Sequence, residues 1–195
     1  MRICIIKGSP RQNGNTNTLL QYFIRELTRA GHVVAETDLR DKEIHGCTAC
    51  RKCQEDWSDF GCIFQDDAVP IFREVMRSEM IVLAAPIYSW YCPAPMKALL
   101  DRFVYGFNKY YGEAKGPSLW QGKRMALFVT CGYPPEKGAD LFEEGMRRYC
   151  RHSKLLYAGM LAVHDEGYGV RFLTEEKIRQ AVHFAEEINQ GGEIS

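Results

Sequence analysis

The chain has 195 residues, of which 46% are hydrophobic and 26% are charged, as is typical of one soluble globular domain. Lys and Arg together number 25, as do Asp and Glu, so the formal net charge is zero, which argues against a nucleic-acid-binding protein that relies on a basic surface. The longest apolar stretch, residues 80–87, is too short to span a bilayer. We therefore expect no membrane segment and, with no export signal recognised, a cytoplasmic location.

Hydrophobic periodicity predicts strands that alternate with helices. Apolar runs predict strands over residues 2–7, 32–38, 80–85, 125–130 and 155–163. Helical spacing predicts helices over residues 16–30, 66–78, 95–107, 139–153 and 174–189, with Asp66 capping the second. Because such alternation forms parallel crossovers, we predict a single α/β domain over residues 1–195. Its fold class is a flavodoxin-like, doubly wound five-stranded parallel sheet in the order 2-1-3-4-5.

A polar loop follows the first predicted strand and leads directly into a helix. Free backbone N–H groups and the helix dipole make such a junction an anion site. The loop lacks the lysine of a nucleoside-triphosphate loop, so we expect it to hold a single phosphomonoester. An ordinary capped turn is the alternative. The candidate phosphate ligands are Ser9, Arg11, Asn15, Thr16, Asn17 and Thr18.

Loops rich in aromatic residues and proline follow the third and fourth strands. They offer a stiff apolar wall and backbone donors, which suit a flat heteroaromatic ring, and Gly132 permits a close approach of the backbone. Each loop alone fits equally well as a corner packed on the core, but three loops at one sheet edge favour a shared ligand. The candidate lining residues are Pro86, Ile87, Tyr88, Ser89, Trp90, Thr130, Cys131, Gly132 and Tyr133.

Two of these loops carry a family resemblance. The motif GSPRQNGNT after the first strand and APIYSWYCPAPMKALLDR after the third resemble the NAD(P)H-dependent FMN reductase group of the flavodoxin-like superfamily. The resemblance implies FMN, with its phosphate on the first loop and its ribityl chain and ring on the other two. It also implies that Lys97, Asp101 and Arg102 match the family's K-x-x-x-D-R helix. We expect these three residues to be mainly structural, with a dimer contact as the alternative.

The same resemblance implies a reaction and its partners. NAD(P)H is the co-substrate, and electrons pass through the flavin to a small-molecule acceptor or a redox protein. Because the cofactor carries the chemistry, we predict no catalytic side chain, and we expect the segment 164–166 after the fifth strand to be surface residues. The family further implies a homodimer or homotetramer in which a neighbouring subunit completes the edge of the ring.

Residues 41–65 show neither the helical nor the strand period of hydrophobic residues and form a Cys-rich insertion. Its spacing, Cys47-x2-Cys50-x2-Cys53-x8-Cys62, suits an iron–sulfur cluster or a tetrahedral zinc ion. The insertion resembles that of the iron-sulfur flavoproteins, electron carriers with a [4Fe-4S] cluster near FMN. Free thiols, a reversible disulfide or a thiol-based redox sensor are the alternatives. We expect the adjacent pair at 51–52, Arg and Lys, to lower the pKa of neighbouring thiols.

Overall fold

The computed structural model describes residues 1–191 and is built on one sheet whose neighbouring strands are all parallel. The strand order is 2-1-3-4-5, which confirms the order predicted from the sequence. Each predicted strand is present, with ends that differ by one residue at most, as expected where pairing frays. The strands are β1 (Arg2–Lys7), β2 (Val33–Asp38), β3 (Met80–Pro86), β4 (Arg124–Cys131) and β5 (Leu156–His164).

Helices cover both faces of the sheet. They are α1 (Asn15–Arg29), α2 (Ala68–Arg77), α3 (Ala94–Phe107), α4 (Pro135–Gly138), α5 (Asp140–Ser153) and α6 (Glu175–Gln190). The four-residue helix α4 has no sequence prediction, because one turn is too short to show a period. None of the helices in residues 1–191 has both the length and the apolar character that a bilayer crossing requires.

Helix α2 begins later than the sequence predicts. Asp66 accepts a hydrogen bond from the amide of Ala68 at 3.1 Å, as a capping carboxylate does. Its oxygens, however, also bind Arg102 of α3 at 2.6 and 2.9 Å. The cap position falls on Asp67, whose side chain makes no capping bond. The predicted cap is therefore chiefly a partner of α3.

The core lies in two layers, one on each side of the sheet. Alternate residues of a strand point to opposite faces, and β1 shows this clearly. Ile3 and Ile5 pack in the layer with α1 and α6, whereas Cys4 and Ile6 pack in the layer with α2, α3 and α5. Burial on both faces is the reason the central strands β1 and β3 are almost continuously apolar.

The sheet brings the candidate loops to one edge. In parallel strands all carboxyl ends lie on the same side, and β1 and β3 are neighbours from which the chain runs outward in opposite directions. The crevice at such a switch point is where ligands bind in this architecture. The Cys-rich insertion follows β2 at the same edge and contains only one 3₁₀ turn, Lys52–Gln54.

Candidate functional site

The loop between β1 and α1 ends in a helix N-terminus that no side chain caps. The cap residue is Gly14, and the first turn contains no acidic residue. The first amide to bond back along the helix is that of Thr18, at 2.9 Å from the Gly14 carbonyl. The amides of residues 15–17 are therefore available to an anion. A Cβ at Gly14 would lie 3.0 Å from the Ser9 hydroxyl and 3.1 Å from the Arg11 Cβ, so a larger residue there would press on the loop.

Two of the predicted phosphate ligands instead hold the loop in shape. The Ser9 hydroxyl is 3.1 Å from the Arg11 carbonyl and 3.3 Å from the Arg11 amide. The Asn17 amide donates to the carbonyls of Arg11 and Gln12 at 3.0 and 3.1 Å. Ser9 and Asn17 are both buried, whereas Arg11 is exposed. The loop is thus preformed, and Arg11 is the predicted ligand whose side chain stays in solvent.

The remaining predicted phosphate ligands already have partners within the chain. Thr16 shares a buried 2.7 Å hydrogen bond with Thr130 of β4, and Thr18 donates to Gly14. The Asn15 amide donates to Asp165 at 2.8 Å. Asp165 was expected to be a surface residue, but the structure places it beside the loop. The only sequence signal was its position immediately after a strand of the parallel sheet.

A strained hairpin forms the corner after β3. Tyr88 and Tyr91 pair through two backbone hydrogen bonds of 2.8 and 3.0 Å. Between them Ser89 and Trp90 both have left-handed backbones, with φ of 50° and 61°. This is the pattern of a type I′ turn, which normally takes Asn and Gly at these positions. The turn places both side chains at the sheet edge, at a cost of about 1 kcal/mol per residue.

An open crevice lies between this hairpin and the loop after β4. The Trp90 indole donates to the Lys137 carbonyl at 3.0 Å and lies parallel to Tyr133, with centroids 6.1 Å apart. A Cβ at Gly132 would meet nothing within 4 Å, so the backbone there is accessible. The crevice measures about 440 Å³, and its lining residues are Ile87, Ser89, Trp90, Cys131, Gly132, Tyr133 and Gly138.

Three of the predicted lining residues sit outside this crevice. Pro86 is the last residue of β3 and pairs with Thr130, and Tyr88 begins the hairpin with half of its side chain exposed.

Within the crevice, burial raises the pKa of the Cys131 thiol to about 11. Cys131 is therefore a neutral wall residue near neutral pH.

The four clustered cysteines all line one cavity. Its other walls are largely apolar and include Phe60 and Phe64. Residues 49 and 51, between the cysteines, have left-handed backbones, and the amide of residue 49 lies 3.4 Å from the Cys47 sulfur. The free space is about 20 Å³, enough for about one water molecule. In residues 1–191 no three His, Cys, Asp or Glu side chains are placed to hold a single metal ion.

Two buried cations support the cavity. Arg102, with 1% of its side chain exposed, donates from Nη1 to Asp66 and from Nη2 to the Cys62 sulfur at 3.4 Å. Lys109 is fully buried. Its Nζ donates to the carbonyls of Cys53, Asp59 and Phe60 at 2.6, 2.6 and 3.3 Å. No sequence pattern had indicated a role for Lys109.

The charges around the cysteines differ from the sequence expectation. Arg51 and Lys52 are exposed, and Lys52 pairs with Glu55 at 3.0 Å. The expectation that they lower the pKa of neighbouring thiols is wrong for Cys53, because burial raises the pKa of its thiol. For Lys109 burial acts in the opposite direction and lowers the pKa, because the charged form of a lysine is the protonated one. The dimer-contact alternative is wrong for Arg102, which is enclosed within its own chain.

The similar proteins include both kinds that the sequence resembles, iron-sulfur flavoproteins and FMN-dependent reductases. One is an "Iron-sulfur flavoprotein" of Archaeoglobus fulgidus, 34% identical over 136 residues, covering 70% of this chain and 58% of the relative. Another is "FMN-dependent NADH:quinone oxidoreductase 2" of Pseudomonas fluorescens, 27% identical over 67% of this chain and 70% of the relative. The chain spans about half the length of the iron-sulfur flavoproteins it matches.

Solved structures agree on the fold. An FMN-dependent NADH-azoreductase from Bacillus anthracis, in complex with FMN, superposes with a TM-score of 0.69 at 14% identity, over 97% of this chain and 98% of that one. The family model described as NADPH-dependent FMN reductase matches residues 1–157. The chain therefore belongs to the NADPH-dependent FMN reductase family.

Proposed function

We propose that the chain is an FMN-dependent oxidoreductase that passes electrons from NAD(P)H to a small-molecule acceptor or a redox protein. The observation that carries this proposal is the meeting of an uncapped helix N-terminus and an aromatic crevice at one sheet edge. The Thr16–Thr130 hydrogen bond ties the two together. A ligand with a phosphate at one end and a flat ring at the other matches this arrangement.

Each part of the site has a distinct role in this proposal. The amides of residues 15–17 and the guanidinium of Arg11 hold the phosphate, while Ser9 and Asn17 keep the loop in its binding shape. Trp90 and Tyr133 provide the aromatic surface that contacts the ring. FMN supplies the hydride-accepting ring, so the chain needs only to bind and orient it.

The phosphate site can be tested by FMN titration, followed by flavin fluorescence. The double variant Ser9→Ala/Arg11→Ala loses a cation and the hydroxyl that shapes the loop, so we expect the Kd for FMN to rise about 10- to 100-fold. Arg29→Ala is the matched control, since Arg29 is an exposed arginine at the far end of α1. A double variant that binds FMN like the wild type contradicts the assignment.

The assembly and the compartment are further parts of the proposal. Large apolar side chains stand exposed at and near the crevice, and a homodimer or homotetramer would cover them: Tyr88, Trp90, Tyr133 and Leu141. Sedimentation velocity tests the assembly, and a monomer at micromolar concentration contradicts it.

All eight cysteines are free thiols, which supports a reducing, cytoplasmic compartment.

A second candidate function is an iron–sulfur flavoprotein that carries electrons through FMN and a [4Fe-4S] cluster. The observation that favours it is the meeting of all four clustered cysteines in one cavity. Four thiolates in a largely apolar pocket match the ligands of such a cluster, which supplies one-electron chemistry. Because the free space is small, binding requires the exposed turn around Cys50 to move outward.

This candidate predicts iron and acid-labile sulfide in protein purified without oxygen. We expect Cys53→Ala to lose both, because it removes a ligand at the buried side of the cavity. Cys150→Ala is the control, a buried cysteine on α5 away from the cavity. Wild-type protein without iron contradicts the cluster. If the iron-free wild-type protein loses two free thiols on mild oxidation, the result would favour the thiol-sensor alternative.

A further inference from the structure

Arg102 occupies a position in the cysteine cavity that ordinary ion pairing does not explain. Its guanidinium binds both oxygens of Asp66 through Nη1, at 2.6 and 2.9 Å. Its Nη2 reaches away to the Cys62 sulfur at 3.4 Å and the Phe64 carbonyl at 3.3 Å. Its Nε is buried and has no hydrogen-bond partner in the described chain. One arginine therefore joins a carboxylate to a candidate ligand.

The guanidinium is held in place by its surroundings. Its central carbon lies 5.5 Å from the ring centre of Phe64 and 5.1 Å from that of Phe72. Contacts with aromatic faces favour a planar guanidinium over a lysine ammonium, and so does the need for a second nitrogen that reaches Cys62 while Nη1 holds Asp66. The donor that faces Cys62 is therefore preformed before any ligand binds.

The cysteine cavity has an excess of buried positive charge. Asp66 neutralises one unit of charge, that of Arg102. Lys109 binds only backbone carbonyls and has no carboxylate partner among residues 1–191. A group with four thiolate ligands carries net negative charge, and a buried cation stabilises that charge strongly because screening is weak there.

We propose that Arg102 is a positioning residue that fixes Cys62 and raises the reduction potential of the cluster held by Cys47, Cys50, Cys53 and Cys62. The proposal rests on the second candidate function. Reduction would add one electron to the cluster and remove one from the reduced flavin, and no bond to the chain would form or break. The added charge would spread onto the thiolates, so the N–H that Arg102 donates to Cys62 would stabilise the reduced state more than the oxidised one.

The test is an anaerobic redox titration followed by electron paramagnetic resonance, with iron counted per chain. Arg102→Lys keeps a charge for Asp66, but its ammonium cannot reach both partners as the fork does. We expect the cluster to be at least tenfold less reduced at a fixed potential, a fall of about 59 mV in midpoint for one electron. Arg148→Gln is the control, an exposed arginine paired with Glu144 at 2.6 Å.

A second variant covers the case in which the lysine variant is poorly folded. Arg102→Gln/Asp66→Asn removes both charges together, so no buried charge is left unpaired, and we expect its midpoint to fall as well. An iron-loaded variant that keeps the wild-type midpoint overturns the proposal. Wild-type protein without iron overturns the cluster itself, so the two failures are distinguished by the iron content alone.

Discussion

Asp66 and Arg102 form the most buried ion pair of the described chain, with 7% and 1% of their side chains exposed. Burial alone would raise the pKa of Asp66. The Arg102 guanidinium and the amides of His45 and Ala68 outweigh burial and lower that pKa from 3.8 to about 2. The ionised carboxylate therefore ties α2 and the end of the Cys-rich insertion to α3, and the tie depends on pH.

At the residue scale this pair predicts a defined acid sensitivity. A lowered folded-state pKa contributes stability that is present above pH 4 and is lost as the pH falls towards 2. We expect this contribution to be about 2 kcal/mol. Urea unfolding at several pH values measures it as the difference in stability between wild type and Asp66→Asn. That difference should shrink between pH 4 and pH 2, and a constant difference contradicts the assignment.

At the element scale the hairpin after β3 keeps two strained residues that lower its stability. Ser89 and Trp90 adopt left-handed backbones that glycine adopts without strain. Trp90 gains a hydrogen bond to Lys137 and a parallel ring at Tyr133 in return. Ser89 has no such side-chain contact, yet it lines the crevice. We infer that its side chain is retained for the ligand.

Ser89→Gly should therefore change stability and binding in opposite directions. Relief of the backbone strain should raise the free energy of unfolding by about 1 kcal/mol, or roughly 2–4 °C in Tm. Loss of the side chain should weaken FMN binding. Lys154→Gly is the matched control, because Lys154 is a left-handed residue that ends α5 far from the crevice. It should stabilise the protein without changing FMN binding, and tighter binding by Ser89→Gly contradicts the inference.

At the scale of the whole molecule both candidate sites depend on the same sheet. The phosphate loop follows β1, the aromatic crevice lies between β3 and β4, and the insertion begins after β2. The insertion is tied to α3 by Arg102 and to the segment after α3 by Lys109. These ties support the prediction of a single domain that unfolds as one unit.

Three tryptophans allow that prediction to be tested region by region. Trp57 lies in the insertion, Trp90 at the crevice and Trp120 in the core, where it is fully buried. We expect single-tryptophan variants to lose fluorescence in the same urea transition as the far-ultraviolet circular dichroism. A Trp57 transition at lower urea would show that the insertion unfolds separately and would contradict the single unit.

The strands, the long helices and the sheet order were predictable because apolar period and turn chemistry are local properties of the chain. The start of the last helix is a clear example, since Thr174 begins the predicted range and its side chain accepts a hydrogen bond from the amide of Lys177. The prediction at Asp66 was less complete. A capping residue and the partner of a distant arginine look identical in sequence, because both are a carboxylate before an apolar run.

The sequence by itself determined the fold class, the sheet edge at which we propose that a ligand binds and the grouping of the four cysteines. Only the tertiary structure decided which side chains meet there. Asn15 binds Asp165 across 150 positions, Thr16 binds Thr130 across 114, and Arg102 binds Cys62 across 40. Such contacts depend on how strands and helices pack against one another, and no short-range pattern in the chain records that packing.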